Sequence, residues 1–110
     1  MNLSVHADAP VYQTSQFRDA GKLIPPVLYL PMRMSDDGTS GADLRELPDG
    51  RRALLAYTAL DRLALQCGEE QPWSLVGIEA LAELKSEHKF DVVAFDPEIA
   101  PQLRVGGKLL

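Results

Sequence analysis

The chain reads as a single-domain α+β protein with a mixed β-sheet, in the order β-β-β-α-β-α-β behind an N-terminal arm. Three stretches carry that reading. Ala53-Leu54-Leu55-Ala56-Tyr57 is apolar at every position, as a strand covered on both faces must be. Leu60, Leu63, Ala64 and Cys67 follow at the spacing of one helical face. Phe90-Asp91-Val92-Val93-Ala94-Phe95 is a second compact strand, closed by Asp96-Pro97. Strand, helix and strand in succession form crossover units, which are right-handed when the strands are parallel.

Met1 to Lys22 is polar and mixed, with no sustained period, and is assigned to an arm that a partner orders on contact. Residues 23–110 form the domain proper. Pro25-Pro26 ends the arm, because proline has no N–H with which to extend a helix or a ladder. Val27 to Met34 is the first strand, and Pro31 within it predicts an edge, bulge or break. Ser35 to Gly41 is a solvated loop, and Asp43 to Leu47 a short half-exposed strand. Pro48-Asp49-Gly50 supplies hairpin turn chemistry before the all-apolar strand.

Thr58 is placed to cap the helix that follows, with Asp61 in the capping-box position and Gly68 past the end. Trp73 to Val76 is a strand end. Gly77 opens a second helix, with Ile78, Leu81, Ala82 and Leu84 inward and Glu79, Glu83 and Glu87 outward. Its acids come early and Lys85, His88 and Lys89 late, the order that suits the helix dipole. After one helical turn, Gln102 to Val105 offers a last strand.

A chain of 110 residues, 45% hydrophobic, is long enough to bury a core without staples. Its net charge of −5 works against attraction to phosphate backbones, so no nucleic-acid partner is expected. The single Cys67 forms no internal disulfide. The N-terminus lacks a basic start followed by an apolar run. The apolar segment Leu23 to Met32 carries Pro25, Pro26 and Pro31 and falls short of the about 20 residues a membrane span needs. A cytoplasmic protein with no membrane span is the expectation.

No catalytic, cofactor or metal motif stands out. Cys67 lies on the apolar face of its helix near the C-terminus, where the dipole disfavours a thiolate, and reads as a packed core residue. His6 and His88 are the only imidazoles and sit far apart in the chain, too few for zinc. Glu79, Glu83 and Glu87 form a solvated ridge, Asp36-Asp37-Gly38 a turn without the ligand pattern of a calcium loop. Gly106-Gly107 lacks the lysine and hydroxyl of a phosphate loop.

Tyr57-Thr58 and Asp96-Pro97 both end strands. If those strands run parallel their ends border one rim, the usual place for a ligand in an open α/β sheet. Against this, Thr58 has a job as a cap and Asp96 as a turn residue. Trp73 reads as a core plug ahead of an interface residue. Tyr12 and Phe17 are the aromatic anchors of the arm.

Leu28-Tyr29-Leu30-Pro31, Asp49-Gly50-Arg51-Arg52, Ala56-Tyr57-Thr58-Ala59-Leu60-Asp61-Arg62-Leu63 and Val92-Val93-Ala94-Phe95-Asp96-Pro97 together resemble the N-terminal domain of SseB-like proteins. These are bacterial proteins named for an enhanced-serine-sensitivity phenotype. The small stand-alone actinobacterial forms, some labelled secretion-associated, look most similar. The resemblance spans Pro26 to Pro101 and leaves the arm aside. The family's central strand typically ends in phenylalanine-threonine, where this chain has Tyr57-Thr58. It implies the α+β fold and brings no agreed catalytic residues.

The expected role is therefore a small interaction module, an adaptor or accessory subunit of a larger bacterial assembly, rather than an enzyme. A protein partner is expected, and homo-oligomerisation stays open. The alternative is a regulatory domain that binds a small ligand at the rim of Tyr57, Thr58 and Asp96. The candidate interface or rim residues are Tyr12, Phe17, Tyr57, Thr58, Trp73 and Asp96.

Overall fold

The computed structural model describes residues 11–13 and 26–110. In chain order the elements are β1 (Val11–Gln13), β2 (Val27–Met34), β3 (Ser40–Ala42), β4 (Leu44–Glu46), β5 (Arg52–Ala56), α1 (Leu60–Cys67), β6 (Trp73–Gly77), α2 (Leu81–His88), β7 (Val92–Phe95), β8 (Arg104–Val105) and β9 (Lys108–Leu109). Helices and strands mix in an α+β arrangement, as the residue pattern predicts.

The two apolar runs lie side by side at the centre. β5 and β7 pair in parallel, Ala53 opposite Val92 and Ala56 opposite Phe95. Their side chains alternate between two cores, which is why both runs are apolar throughout. Leu54, Ala56, Val93 and Phe95 face Leu28, Leu30, Leu81 and Phe90. Ala53, Leu55, Val92 and Ala94 face Leu47, Ile99 and Leu103. β4 flanks β5 antiparallel through the turn at Asp49-Gly50, where Gly50 takes the left-handed φ of 89° that the tight turn requires.

A second sheet, in the order β3-β2-β6, is tied to the first through β2 and the end of β5. Tyr29 and Tyr57 exchange main-chain hydrogen bonds of 2.9 and 2.8 Å. β2 changes partner at Pro31: Val27 to Pro31 pair with β6, Met32 to Met34 with β3. The proline carbonyl accepts the Asp43 N–H at 2.9 Å. Pro31 thus marks the break that its missing N–H predicts.

Several expectations are corrected. The arm assigned to residues 1–22 contains β1, which pairs antiparallel with β7, Tyr12 opposite Val93. The β7 edge away from β5 has main-chain groups to satisfy, and a three-residue strand suffices to do it. Phe17 lies outside the described residues. β3 occupies part of the segment expected to be loop, and the C-terminal residues close as the small β8–β9 hairpin.

Thr58 does not cap α1. Ala59 precedes the helix, with no side-chain cap bond. Leu63 and Cys67 are buried as expected, but Leu60 is 37% exposed. Seven residues apart, Leu60 and Cys67 lie within about 20° of each other around the helix, so Leu60 is exposed by its place at the start of the first turn and not by its face. The second helix begins as a 3-10 turn, Ile78–Ala80, before α2. Leu81 is buried, whereas Ala82, expected inward, is exposed. Among the described residues no helix is long and apolar enough to cross a membrane.

Candidate functional site

Because β5 and β7 run parallel, the residues that follow them meet at one end of the sheet. Asp96 adopts a left-handed φ of 52°, and its N–H donates to the Ala56 carbonyl at 2.8 Å. That turn aims its carboxylate back across the strand ends. It accepts the Thr58 N–H and the Thr58 hydroxyl, each at 2.8 Å. A third donor is the Arg62 guanidinium, also at 2.8 Å, from the first turns of α1. The Thr58 side chain is therefore spent on a residue 38 positions away instead of on the helix terminus.

Tyr57 is fully buried beneath this network, and its hydroxyl donates to the Pro97 carbonyl at 2.8 Å. Burial, with Cys67 beside it, raises the pKa of the phenol above its ordinary value and keeps it protonated. The Cys67 thiol is pushed up to about 11, first by burial, while the neighbouring tyrosine hydroxyl pulls the other way. A cysteine in that state is a packed thiol with little nucleophilic character.

Tyr57, Thr58 and Asp96 thus come together as their strand-end positions suggest. Arg62 completes the cluster and escapes a reading of motifs. Its one signal is its place four residues after Thr58, the spacing of neighbours on a helix. Chemically, the carboxylate is bound on both oxygens from within the chain. The arrangement ties the two strand ends together, with the carboxylate already engaged by Thr58 and Arg62.

A second polar cluster is built from residues that carry no motif. Asp43, 2% exposed, is gripped by Arg45, with Nε on Oδ1 at 2.7 Å and a terminal nitrogen on Oδ2 at 3.0 Å. Arg45 and Arg33 also donate to the main-chain oxygen of Leu110. Gln71, 5% exposed, donates to the carbonyls of Met32 and Pro72 and accepts the Leu109 N–H. A small cavity of about 140 Å³ lies here, bordered by Arg33, Asp43, Gln71 and Lys108. The Asp-x-Arg spacing is the available signal, since alternate residues of a strand share a face. Among the described residues no buried side-chain nitrogen or oxygen lacks a partner.

Trp73 stands apart from the rim and is not a core plug. It is 45% exposed at the start of β6, its ring edge-on to Tyr29 with centroids 5.5 Å apart. The β2–β6 register explains its position. Val27, Tyr29, Leu75 and Trp73 project from one face of the pair, and Leu28 and Leu30 project from the other into the core. Val27 is 39% and Leu75 52% exposed, so three large apolar residues share an open face. β6 is also the last strand of its sheet.

Among the described residues no group of three or more His, Cys, Asp or Glu is arranged to hold a metal ion. Compared with protein-family models, curated proteins and solved structures, the chain has no match in any of the three.

Proposed function

We propose that this protein is a small interaction module, an adaptor or accessory subunit of a larger bacterial assembly in the cytoplasm. The observation that carries the reading is the open apolar face of β2 and β6. Trp73 and Leu75 are adjacent outward-facing residues on a strand that ends its sheet. Burying one such side chain is worth about 1.5–3 kcal/mol, and tryptophan is among the residues that dominate protein interfaces. The resemblance to SseB-like N-terminal domains supports the same role, including its secretion-associated form.

Small-ligand binding at Tyr57, Thr58 and Asp96 has less support, because those groups are already engaged with one another. The test is affinity capture from the native host with the wild-type chain and with Trp73→Ser. Position 73 is half-exposed, so the two chains should melt cooperatively at similar temperatures. Partners lost selectively by Trp73→Ser support the reading. Identical capture by the two chains overturns it.

A further inference from the structure

The edge of β6 has a two-fold complement, and it is itself. The bonding phase of the β2–β6 ladder follows from its two ends. Met32 N–H donates to the Pro72 carbonyl at 2.8 Å, and Ile78 N–H to the Pro26 carbonyl at 2.9 Å. Hydrogen-bonded pairs alternate along an antiparallel ladder. Ser74 and Val76 therefore turn their main-chain groups toward β2, while Trp73, Leu75 and Gly77 turn theirs away from it. Tyr29, opposite Leu75, agrees: its own main chain bonds outward, to Tyr57. Among the described residues nothing bonds the outward groups of Trp73, Leu75 and Gly77.

We propose that a second copy of this chain covers this edge, β6 pairing antiparallel with β6 about a two-fold axis through Leu75, and the proposal rests on the interaction-module reading above. Three features favour a copy over an unrelated strand. First, the register is self-consistent. With Leu75 opposite its own counterpart, Trp73 falls opposite Gly77 and Gly77 opposite Trp73, so all the outward groups pair, forming about six main-chain hydrogen bonds. Second, size matches size, since the largest side chain of the strand faces the residue that has none. Aromatic residues cover cross-strand glycines well.

Third, the polar groups fit. The Glu79 carboxylate lies against Gly77, with Oε1 2.4 Å from where a β-carbon would stand. That is the position the partner's indole would approach. The Trp73 indole N–H has no hydrogen-bond partner among the described residues, and it would find an anionic acceptor there. The result is one continuous sheet in the order β3-β2-β6-β6-β2-β3, with Trp73, Leu75 and Val27 of both copies on one face.

Two five-residue strands bury less than the about 1,600 Å² of a standard interface, so the dimer should be weak. A dissociation constant of about 10–100 µM is the expectation. The experiment is sedimentation velocity on the full chain from about 5 to 500 µM, a range spanning that constant on both sides. The wild type should shift from monomer to dimer. Leu75→Lys sets two ammonium groups opposite each other at the axis and should stay monomeric throughout, with its circular dichroism and melting unchanged.

Leu75→Cys tests the register separately. Cα atoms in a hydrogen-bonded antiparallel pair stand about 5.5 Å apart, within disulfide range. Mild oxidation should link this variant as a dimer, and should leave Val105→Cys, on the exposed β8–β9 hairpin, unlinked. A wild type that is monomeric at the highest concentration, or a Leu75→Lys chain that dimerises equally well, overturns the proposal. If the wild type is monomeric while Trp73→Ser still loses its partners, the copy is wrong and the interaction module stands. If neither effect appears, both readings fall.

Discussion

Replacing Asp96 in turn by asparagine, glycine and alanine separates its two tasks, occupying a left-handed turn and joining the ends of β5 and β7. Alanine loses both. The bonds from the Thr58 N–H and hydroxyl, each at 2.8 Å, are made to a carboxylate that is 22% exposed. Bonds to a charged group contribute about 1.5 kcal/mol or more apiece. The Arg62 contact is discounted, because its side chain is 60% exposed. A φ of 52° costs alanine about a further 1 kcal/mol. Some of the loss returns as water reaches Thr58, which leaves a destabilisation of about 2–4 kcal/mol.

Glycine removes the backbone strain but not the lost bonds, and should fall by about 2–3 kcal/mol. Asparagine tolerates the left-handed turn and keeps one acceptor oxygen, so about 1–2 kcal/mol is expected. Urea unfolding followed by circular dichroism gives the order directly. With a slope of about 1–1.5 kcal/mol/M, the alanine variant should lose about 2 M in midpoint at unchanged slope. An alanine variant within about 0.5 kcal/mol of the wild type would refute the reasoning. The carboxylate would then be free of structural duty, and a ligand at the rim would regain its case. Asparagine falling as far as alanine would show that charge alone matters, not the turn.

Gly68→Ala should be among the most damaging single-methyl changes. Its β-carbon would lie 2.0 Å from the Gly107 carbonyl oxygen, and φ is +114°. Main chain cannot swing aside, so about 3 kcal/mol or more is expected in the same urea assay, against about 1 kcal/mol for Gly38→Ala, where the added carbon meets nothing within 4 Å. Leu63→Asp, at a position 1% exposed, places an unpaired carboxylate in the core and should abolish cooperative melting; a retained transition would show that α1 is packed differently. Stability should decline in alkali. Both Tyr57 and Cys67 ionise at higher pH in the fold than in the open chain, the thiol moving from 9.0 to about 11. The folded state therefore holds protons that the unfolded state releases. Its advantage is full below about pH 9 and drains as pH rises, at up to about 1.4 kcal/mol per pH unit for each group. Cys67→Ala should flatten the urea midpoint between pH 9 and 11, and an unchanged slope there would contradict the thiol's burial.

The parts of the fold that were legible in the sequence are those set by local pattern. Ala53 to Tyr57 and Val92 to Phe95 are apolar at every position because each strand feeds two cores. Asp49-Gly50 is a turn because Gly50 needs a positive φ. What escaped depends on distant partners. β1 is three residues long and exists because β7 offers an edge. Thr58 had two available acts, capping its own helix or binding Asp96, and only the parallel pairing of β5 with β7 decides between them. Asp43 and Arg45 are buried against each other with Arg33 and the Leu110 carbonyl as further partners, which no nearby residue announces. Trp73 reads as core from its residue type alone; whether it is covered turns on which strand ends the sheet.

An uncovered strand with two large apolar residues is a hazard, since free edges pair without limit. The chain restricts the hazard at one end of β6. Glu79 lies over Gly77 there, where a bulky side chain with no N–H to donate would meet a carboxylate. Within the strand itself, Trp73-Ser74-Leu75-Val76-Gly77, no charge opposes pairing. Restriction at one end and none in the middle is the pattern of an edge kept for one register, not of one closed to all. A two-fold contact of that kind consumes the β6 edge of both copies and stops there. The same net charge of −5 on every chain then discourages further stacking of dimers. Trp73 is thus exposed in the single chain for the reason that would make it buried in the pair.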